Sequence, residues 1–229
     1  MLKPKKKITK KEIKEDKLVT TYFEATTWYE TNKKIVNGIL VGVVVLAIVI
    51  VAYMNNVTAN NVKANTELGK VIPYYDQGKF DVAIGGNLQE NVRGLQSIVD
   101  DYGSTNAGEL AKFYLANAYF AQNDYEKALK YFLSVSVSDD LITASALAGA
   151  ASCYEAKSDY AKAASMYEKA AFKSTKDVNA AENMFHAARN YLTSGNKEKA
   201  AELFKKVKKE FPTSVVAREI DRWIAQASV

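Results

Sequence analysis

The chain has 229 residues, with 31 Lys and Arg against 26 Asp and Glu, one His and one Cys. Ten Lys stand in residues 1–34 against five acids, and beyond residue 34 the 21 basic and 21 acidic side chains cancel. The bulk of the chain therefore has no electrostatic footprint for nucleic acid, and the single Cys153 excludes an internal disulfide framework.

Residues 9–33 have the pattern of a helix. Thr9 and Glu12 have the spacing of a capping box, and Leu18, Tyr22, Ala25 and Tyr29 recur at i, i+4, i+7 and i+11, with Val19 and Phe23 widening that face. Such a stripe needs a membrane surface or a protein partner to bury against.

The next stretch, IVNGILVGVVVLAIVIVAY (35–53), carries no charge, and only Asn37 is clearly polar. As an α-helix it would be about 28 Å long, matching a hydrocarbon core of roughly 30 Å. In lipid a single span must satisfy its own backbone hydrogen bonds, which only a helix does. A transmembrane helix is expected over 35–53. The Lys-rich leader, Lys33 and Lys34 at the helix start, and a first outer charge only at Lys63 place the N-terminus in the cytoplasm and residues 54–229 outside it. Val57 and Ala59 offer a cleavage pattern, but the leader and the apolar run are both longer than a signal peptide's, which favours an uncleaved anchor. Gly38 and Gly42 form a GxxxG pair, a face on which two such helices can meet.

Residues 54–105 read as a polar linker helix, broken near Pro73, followed by a degenerate first repeat. Gly78 and Phe80 have the look of a repeat's turn, while Gly85 and Gly86 interrupt the helix that should follow. Val92, Leu95, Ile98, Val99 and Tyr102 then restore a helical stripe.

From residue 106 to the end the sequence repeats itself. NAYFAQNDYEKALKYF (117–132), SCYEAKSDYAKAASMY (152–167) and RNYLTSGNKEKAAELF (189–204) align on Tyr119, Tyr154 and Tyr191, on Ala128, Ala163 and Ala200, and on Phe132, Tyr167 and Phe204, at spacings of 35 and 37 residues. Each unit is a helix–turn–helix that cannot bury its apolar face alone and stacks on its neighbour. These residues resemble the tetratricopeptide repeat; Pro212 stands at that family's repeat-ending proline, where the earlier copies have Asp140 and Thr175. Val216, Ile220, Trp223 and Ile224 share one face after Thr213 and Ser214, which predicts a C-terminal capping helix. The expected fold is all-α: one N-terminal transmembrane helix, then a tetratricopeptide solenoid with a capping helix.

The layout as a whole is similar to the YfgM-like family of bacterial envelope proteins. That resemblance implies a short cytoplasmic tail, one span of the inner membrane, a periplasmic repeat domain, and an association with the Sec translocon and periplasmic chaperones. The residues themselves argue against an enzyme. His186 is the only histidine and is far from Cys153 in sequence; no metal-spaced cluster, P-loop or glycine fingerprint is present, and no cofactor is expected. Cys153, beside Tyr154 in a helix, reads as a buried structural thiol.

Protein binding remains. In tetratricopeptide domains the first helices line the groove, at positions that map to Leu110, Phe113, Asn117 and Phe120, then Ala148, Ser152 and Glu155, then Glu182, Phe185, Arg189 and Leu192. Only Asn117 fits a carboxylate clamp, and Phe113 stands where such a clamp wants a Lys. The apolar members suit an apolar or amphipathic segment of another protein, and serve equally well as core between helices. The expected partners are translocon subunits, envelope chaperones, exported polypeptides or further copies of the same protein, with no nucleic acid.

Overall fold

The structure, a computed structural model, describes residues 10–174 and 179–228, with side chains from Lys17 onward. Thr9, the Glu12 side chain, the Lys-rich tail before them and Thr175 lie outside the described residues. The protein forms two compact units, residues 1–56 and 57–229.

In the first unit helix α1 (Lys10–Asp76) carries the sequence up to Asn56. Leu18, Tyr22, Phe23, Trp28 and Tyr29 are exposed along it. Of the side chains from Ile35 to Tyr53, all but the half-exposed Val36 are exposed, which separates this run from the core helix of a soluble protein. It is one helix long and apolar enough to cross a membrane. At Gly38 and Gly42 a Cβ would meet nothing within 4 Å.

The second unit begins with the last turns of α1. Ala64, Leu68 and Val71 are buried at i, i+4 and i+7, one stripe of the helix, and the Asn61 side-chain oxygen accepts a 2.9 Å hydrogen bond from the Ala107 backbone N–H. Pro73 lies inside the helix, which runs three residues past it to Asp76. A proline removes only its own upstream bond; the N–H of Gln77 still reaches the Pro73 carbonyl at 3.2 Å, so the break expected at Pro73 comes one turn later.

What ends α1 also ends three later helices. The N–H of Lys79 reaches back five residues to the Tyr74 carbonyl at 2.9 Å, and the same bond joins Asp124 to Tyr119 (2.9 Å), Asp159 to Tyr154 (2.8 Å) and Asn196 to Tyr191 (2.8 Å). This is the Schellman closure, and it requires a left-handed residue in between. Gly78 (φ 72°), Asn123 (61°), Ser158 (60°) and Gly195 (91°) supply it. The side chains of Asp124, Asp159 and Asn196 then cap the following helix through the N–H groups of Lys127, Lys162 and Lys199. Four residues after each bond comes a fully buried alanine: Ala83, Ala128, Ala163 and Ala200. One helix–turn–helix is thus built four times.

The first of the four departs from the others in its second helix. Helix α2 (Phe80–Gly85) stops after six residues, a two-stranded antiparallel hairpin follows (β1, Gly86–Asn87; β2, Val92–Arg93), and α3 (Leu95–Tyr102) resumes. Tyr74 and Tyr119 are accordingly 45 residues apart. Helices α4 (Asn106–Ala121), α5 (Tyr125–Ser134), α6 (Asp140–Ala156), α7 (Tyr160–Lys173), α8 (Ala180–Thr193) and α9 (Lys197–Glu210) each pack on the next. A 3-10 turn (Val215–Glu219) leads into α10 (Ile220–Ala227), which lies on α9; Ser214 precedes that turn without capping it, its hydroxyl bonding the Phe211 carbonyl at 2.8 Å.

The buried side chains form two clusters. One runs from Ala64 to Cys153 and includes Leu95, Ile98, Leu115 and Phe132. The other runs from Ala151 to Ala227 around Met184, Leu203, Phe204 and Ile220, so α6 contributes to both.

Candidate functional site

The first helices of the repeats, α4, α6 and α8, carry the expected groove side chains. On α4, Leu110, Phe113 and Phe120 are half-buried and packed against the first cluster. The Phe113 ring meets Phe132 edge-on at 6.0 Å, and Phe120 meets Tyr125 at 5.4 Å. Asn117 donates to the Phe113 carbonyl at 2.8 Å. Phe113 and Phe120 therefore pack on the neighbouring helix α5 and stay partly exposed. The Phe132 ring lies directly on Gly149 of α6, leaving no room for a Cβ there. On α8, Phe185 packs on Phe204 at 5.7 Å and on Trp223 at 5.6 Å, while Glu182 is exposed.

Between α6, α7 and α8 the contacts turn polar. Ser152 and the Tyr167 hydroxyl are 2.8 Å apart, and Tyr167 stacks on His186 with centroids 5.1 Å apart. Glu155 accepts from Arg189 at 3.4 Å and from the Asn190 amide at 3.2 Å. Arg189 also lies 3.4 Å from His186 Nδ1; a guanidinium only donates, so a hydrogen bond there needs Nδ1 as the acceptor. Ser152, Glu155 and Arg189 of the expected groove are thus brought together, whereas Leu110, Phe113, Asn117 and Phe120 line a separate stretch, and Phe185 and Leu192 belong with the second cluster.

The sequence marks Tyr167 as a repeat aromatic and His186 as the only histidine, but places neither them nor Asn190 in one polar site. One signal for them existed: Asn190 occupies the repeat position of Ala118 and Cys153. Tyr167 is buried and His186 half-buried, and Asn190 is only 2% exposed, with its side-chain oxygen unpartnered among the described residues. An amide where the other copies bury a small apolar group costs stability unless it is hydrogen-bonded, and here the NH2 is.

Burial pushes the Tyr167 hydroxyl up to about 12 and lowers His186 from its ordinary 6.5; Arg189 lowers it further, while Glu155 and Glu182 pull the other way. A histidine whose folded value lies below its unfolded value stabilises the fold above pH 6.5, and that stability is lost as pH falls from 6.5 through the lowered value. Thermal unfolding of residues 57–229 should show a loss of stability as pH falls below 6.5 that is absent in His186→Gln, and an equal slope in the variant would remove His186 as its source. Asp124 and Asp159, held below the usual carboxylate range by Lys127 and Lys162, act only in more acidic solution.

Cys153 is buried, its thiol pushed up to about 12, which keeps it protonated and inert as a nucleophile. Among the described residues no three His, Cys, Asp or Glu side chains gather to hold a metal ion.

Residues 113–178 match the sequence profile of a tetratricopeptide repeat, and residues 182–214 match a second tetratricopeptide repeat profile. The fold is a tetratricopeptide solenoid. A variant of a Podosopora anserina protein of nearly identical TPR-like repeats, assigned as a kinesin light chain, superposes with a TM-score of 0.54 at 16% identity, over 73% of this chain and 85% of that one. A second structure of that protein gives 0.49 at 14% identity, over 73% and 94%. At 16% identity the first of these likenesses shows the fold alone. No curated protein matches in sequence. Tetratricopeptide repeats are protein-interaction modules and generally non-enzymatic scaffolds, and no catalytic family is indicated.

Proposed function

We propose that the protein is a membrane-anchored adaptor or chaperone of the bacterial cell envelope that holds polypeptide, or a partner chaperone, on its tetratricopeptide groove beside the Sec translocon. One observation carries the reading: a charge-free run of helix (35–53) with its apolar side chains exposed precedes a solenoid whose groove rings are only half-buried. The lysines of residues 1–34 favour a cytoplasmic N-terminus and a periplasmic solenoid. The half-exposed rings of Phe113 and Phe120 on α4 offer an apolar or amphipathic segment a place to bury.

The test combines topology with capture. A reporter active only outside the cytoplasm, fused after Val229, should work. A photo-crosslinking phenylalanine analogue at Phe120 or Glu182 should trap translocon subunits, envelope chaperones or emerging exported polypeptides in intact cells. A cytoplasmic C-terminus would overturn the anchor and its orientation. Crosslinks to other copies of the same protein would favour a second reading, a self-associating scaffold, which the open space over Gly38 and Gly42 supports.

A further inference from the structure

A cavity of about 730 Å³ lies between the end of α8, the start of α9 and α10, lined by Arg189, Leu192, Thr193, Lys197, Trp223 and Gln226. Its apolar wall is Leu192 and the Trp223 indole. That indole is fixed from behind, perpendicular to Phe185 at 5.6 Å and tilted 30° against Phe204 at 5.8 Å. A ring wedged by two others is a preorganised surface, so a ligand meets little ordering cost there.

The polar wall is all donors or neutral groups. No acidic side chain lines the cavity, while two cations do, one from α8 and one from α9. The Lys197 ammonium has no ion pair or hydrogen bond among the described residues, although Lys199, two positions on, binds Glu168 at 3.1 Å and Glu202 at 3.3 Å. Lys157, Lys162, Lys173 and Lys208 likewise each hold a carboxylate. Arg189 is only loosely held: its contacts to Glu155 and His186 are both 3.4 Å, longer than the roughly 2.7–2.9 Å of a good charged hydrogen bond. The Trp223 indole N–H and the Gln226 amide also have no hydrogen-bond partner among the described residues. Two cations and two neutral donors thus line one cavity that has an apolar wall and no acidic side chain, and only Arg189 among them holds a carboxylate, loosely, at 3.4 Å.

We infer that this cavity binds a carboxylate carried next to an apolar side chain of a partner polypeptide. The carboxylate sits between Lys197 and Arg189, within reach of Gln226, and the apolar side chain lies on Trp223 and Leu192. This rests on the groove reading above, since Arg189 and Leu192 belong to the groove's third repeat, and it adds the chemistry the partner must bring. The terminal carboxylate of a polypeptide and an internal Asp or Glu present the same group.

Trp28 and Trp223 are the only tryptophans. In the full-length protein in nanodiscs carrying Trp28→Phe, indole fluorescence reports this cavity alone. Three peptides are the probes: acetyl-Gly-Ser-Gly-Leu-Leu with a free carboxylate, the same peptide amidated, and acetyl-Gly-Ser-Glu-Leu-Gly amidated. The expected result is a saturable change with either acidic peptide or both, and binding about tenfold or more weaker for the neutral amide. Which acidic peptide is tighter tells a terminal carboxylate from an internal acid. Lys197→Gln, at an exposed side chain without an ion pair, should weaken the acidic peptides about tenfold and leave the neutral one and the melting temperature unchanged. Equal binding of the neutral amide, no binding of either acidic peptide, or no effect of Lys197→Gln overturns the inference. Crosslinking from Phe120 reads the groove separately: if it persists while the acidic peptides fail, the groove reading stands and the carboxylate site falls.

Discussion

Replacing Phe204 with Ala should lower the melting temperature of residues 57–229 by about 6–20 °C. Phe204 is fully buried and is the ring on which Phe185 and Trp223 both pack, so it joins the third repeat to the capping helix. Truncating a buried Phe costs about 3–5 kcal/mol, because the transfer free energy is lost and a cavity remains. For a domain of 150–250 residues each kcal/mol moves the midpoint by about 2–4 °C. The same change frees the face of Trp223, so its emission should shift to the red in the folded state. A melting temperature within 2 °C of the parent would mean that α10 and Phe185 close the gap at no cost, and that the second cluster is not organised around this ring.

The second large effect is expected from adding volume. Ala163 is fully buried at the point where α7 crosses its neighbours, the position that Ala83, Ala128 and Ala200 hold in the other copies. Ala163→Leu forces extra methylene groups into a packed crossing, at about 1–3 kcal/mol or more. The damage should exceed that of an equal change at an end, because each repeat is stabilised by its two neighbours and a fault in the middle uncouples both. The comparison is Ala225→Leu on α10, where the side chain is exposed; Ala227, two residues on, is buried and would not serve. Comparable melting temperatures for the two variants would show that α7 does not cross its neighbours at residue 163.

The register of the three later repeats was legible because each device is local. A tyrosine carbonyl, a left-handed residue, a capping Asp or Asn and a small residue four positions on all fall within ten residues, and a 35- or 37-residue period exposes them. Asn123 and Ser158 stand where glycine stands at 78 and 195, so even the turn could be read by alignment. The groove was less legible. Whether Phe113 is groove or core depends on where Phe132, nineteen residues away, directs its ring, and that is decided by the missing side chain at Gly149 on a third helix. The polar seam depends on pairings of the same reach: Ser152 with Tyr167, Glu155 with Asn190, Tyr167 with His186. No single-residue pattern encodes them, although an amide in an alanine position was a visible anomaly. Trp223 was expected on the capping helix, but its role as one wall of a cavity needed Lys197 and Arg189 beside it.

The hairpin inside the first helix–turn–helix has a consequence for engineering. Its neck is pinched shut by backbone alone: a Cβ on Gly86 would sit 2.6 Å from the Gly94 nitrogen, and one on Gly94 would collide with the Ile84 carbonyl oxygen. Beyond the neck the tip leaves Leu88 98% exposed, and among the described residues Glu90 is hydrogen-bonded to Tyr74 and Asn87 alone. Because the neck already fixes the distance between its two ends, lengthening the tip costs only a slowly growing closure entropy, about 0.6 kcal/mol for each doubling. The solenoid thus carries a graft port between Asn87 and Val92, where an epitope or a fluorescent reporter can be spliced in without touching the four stacked turns.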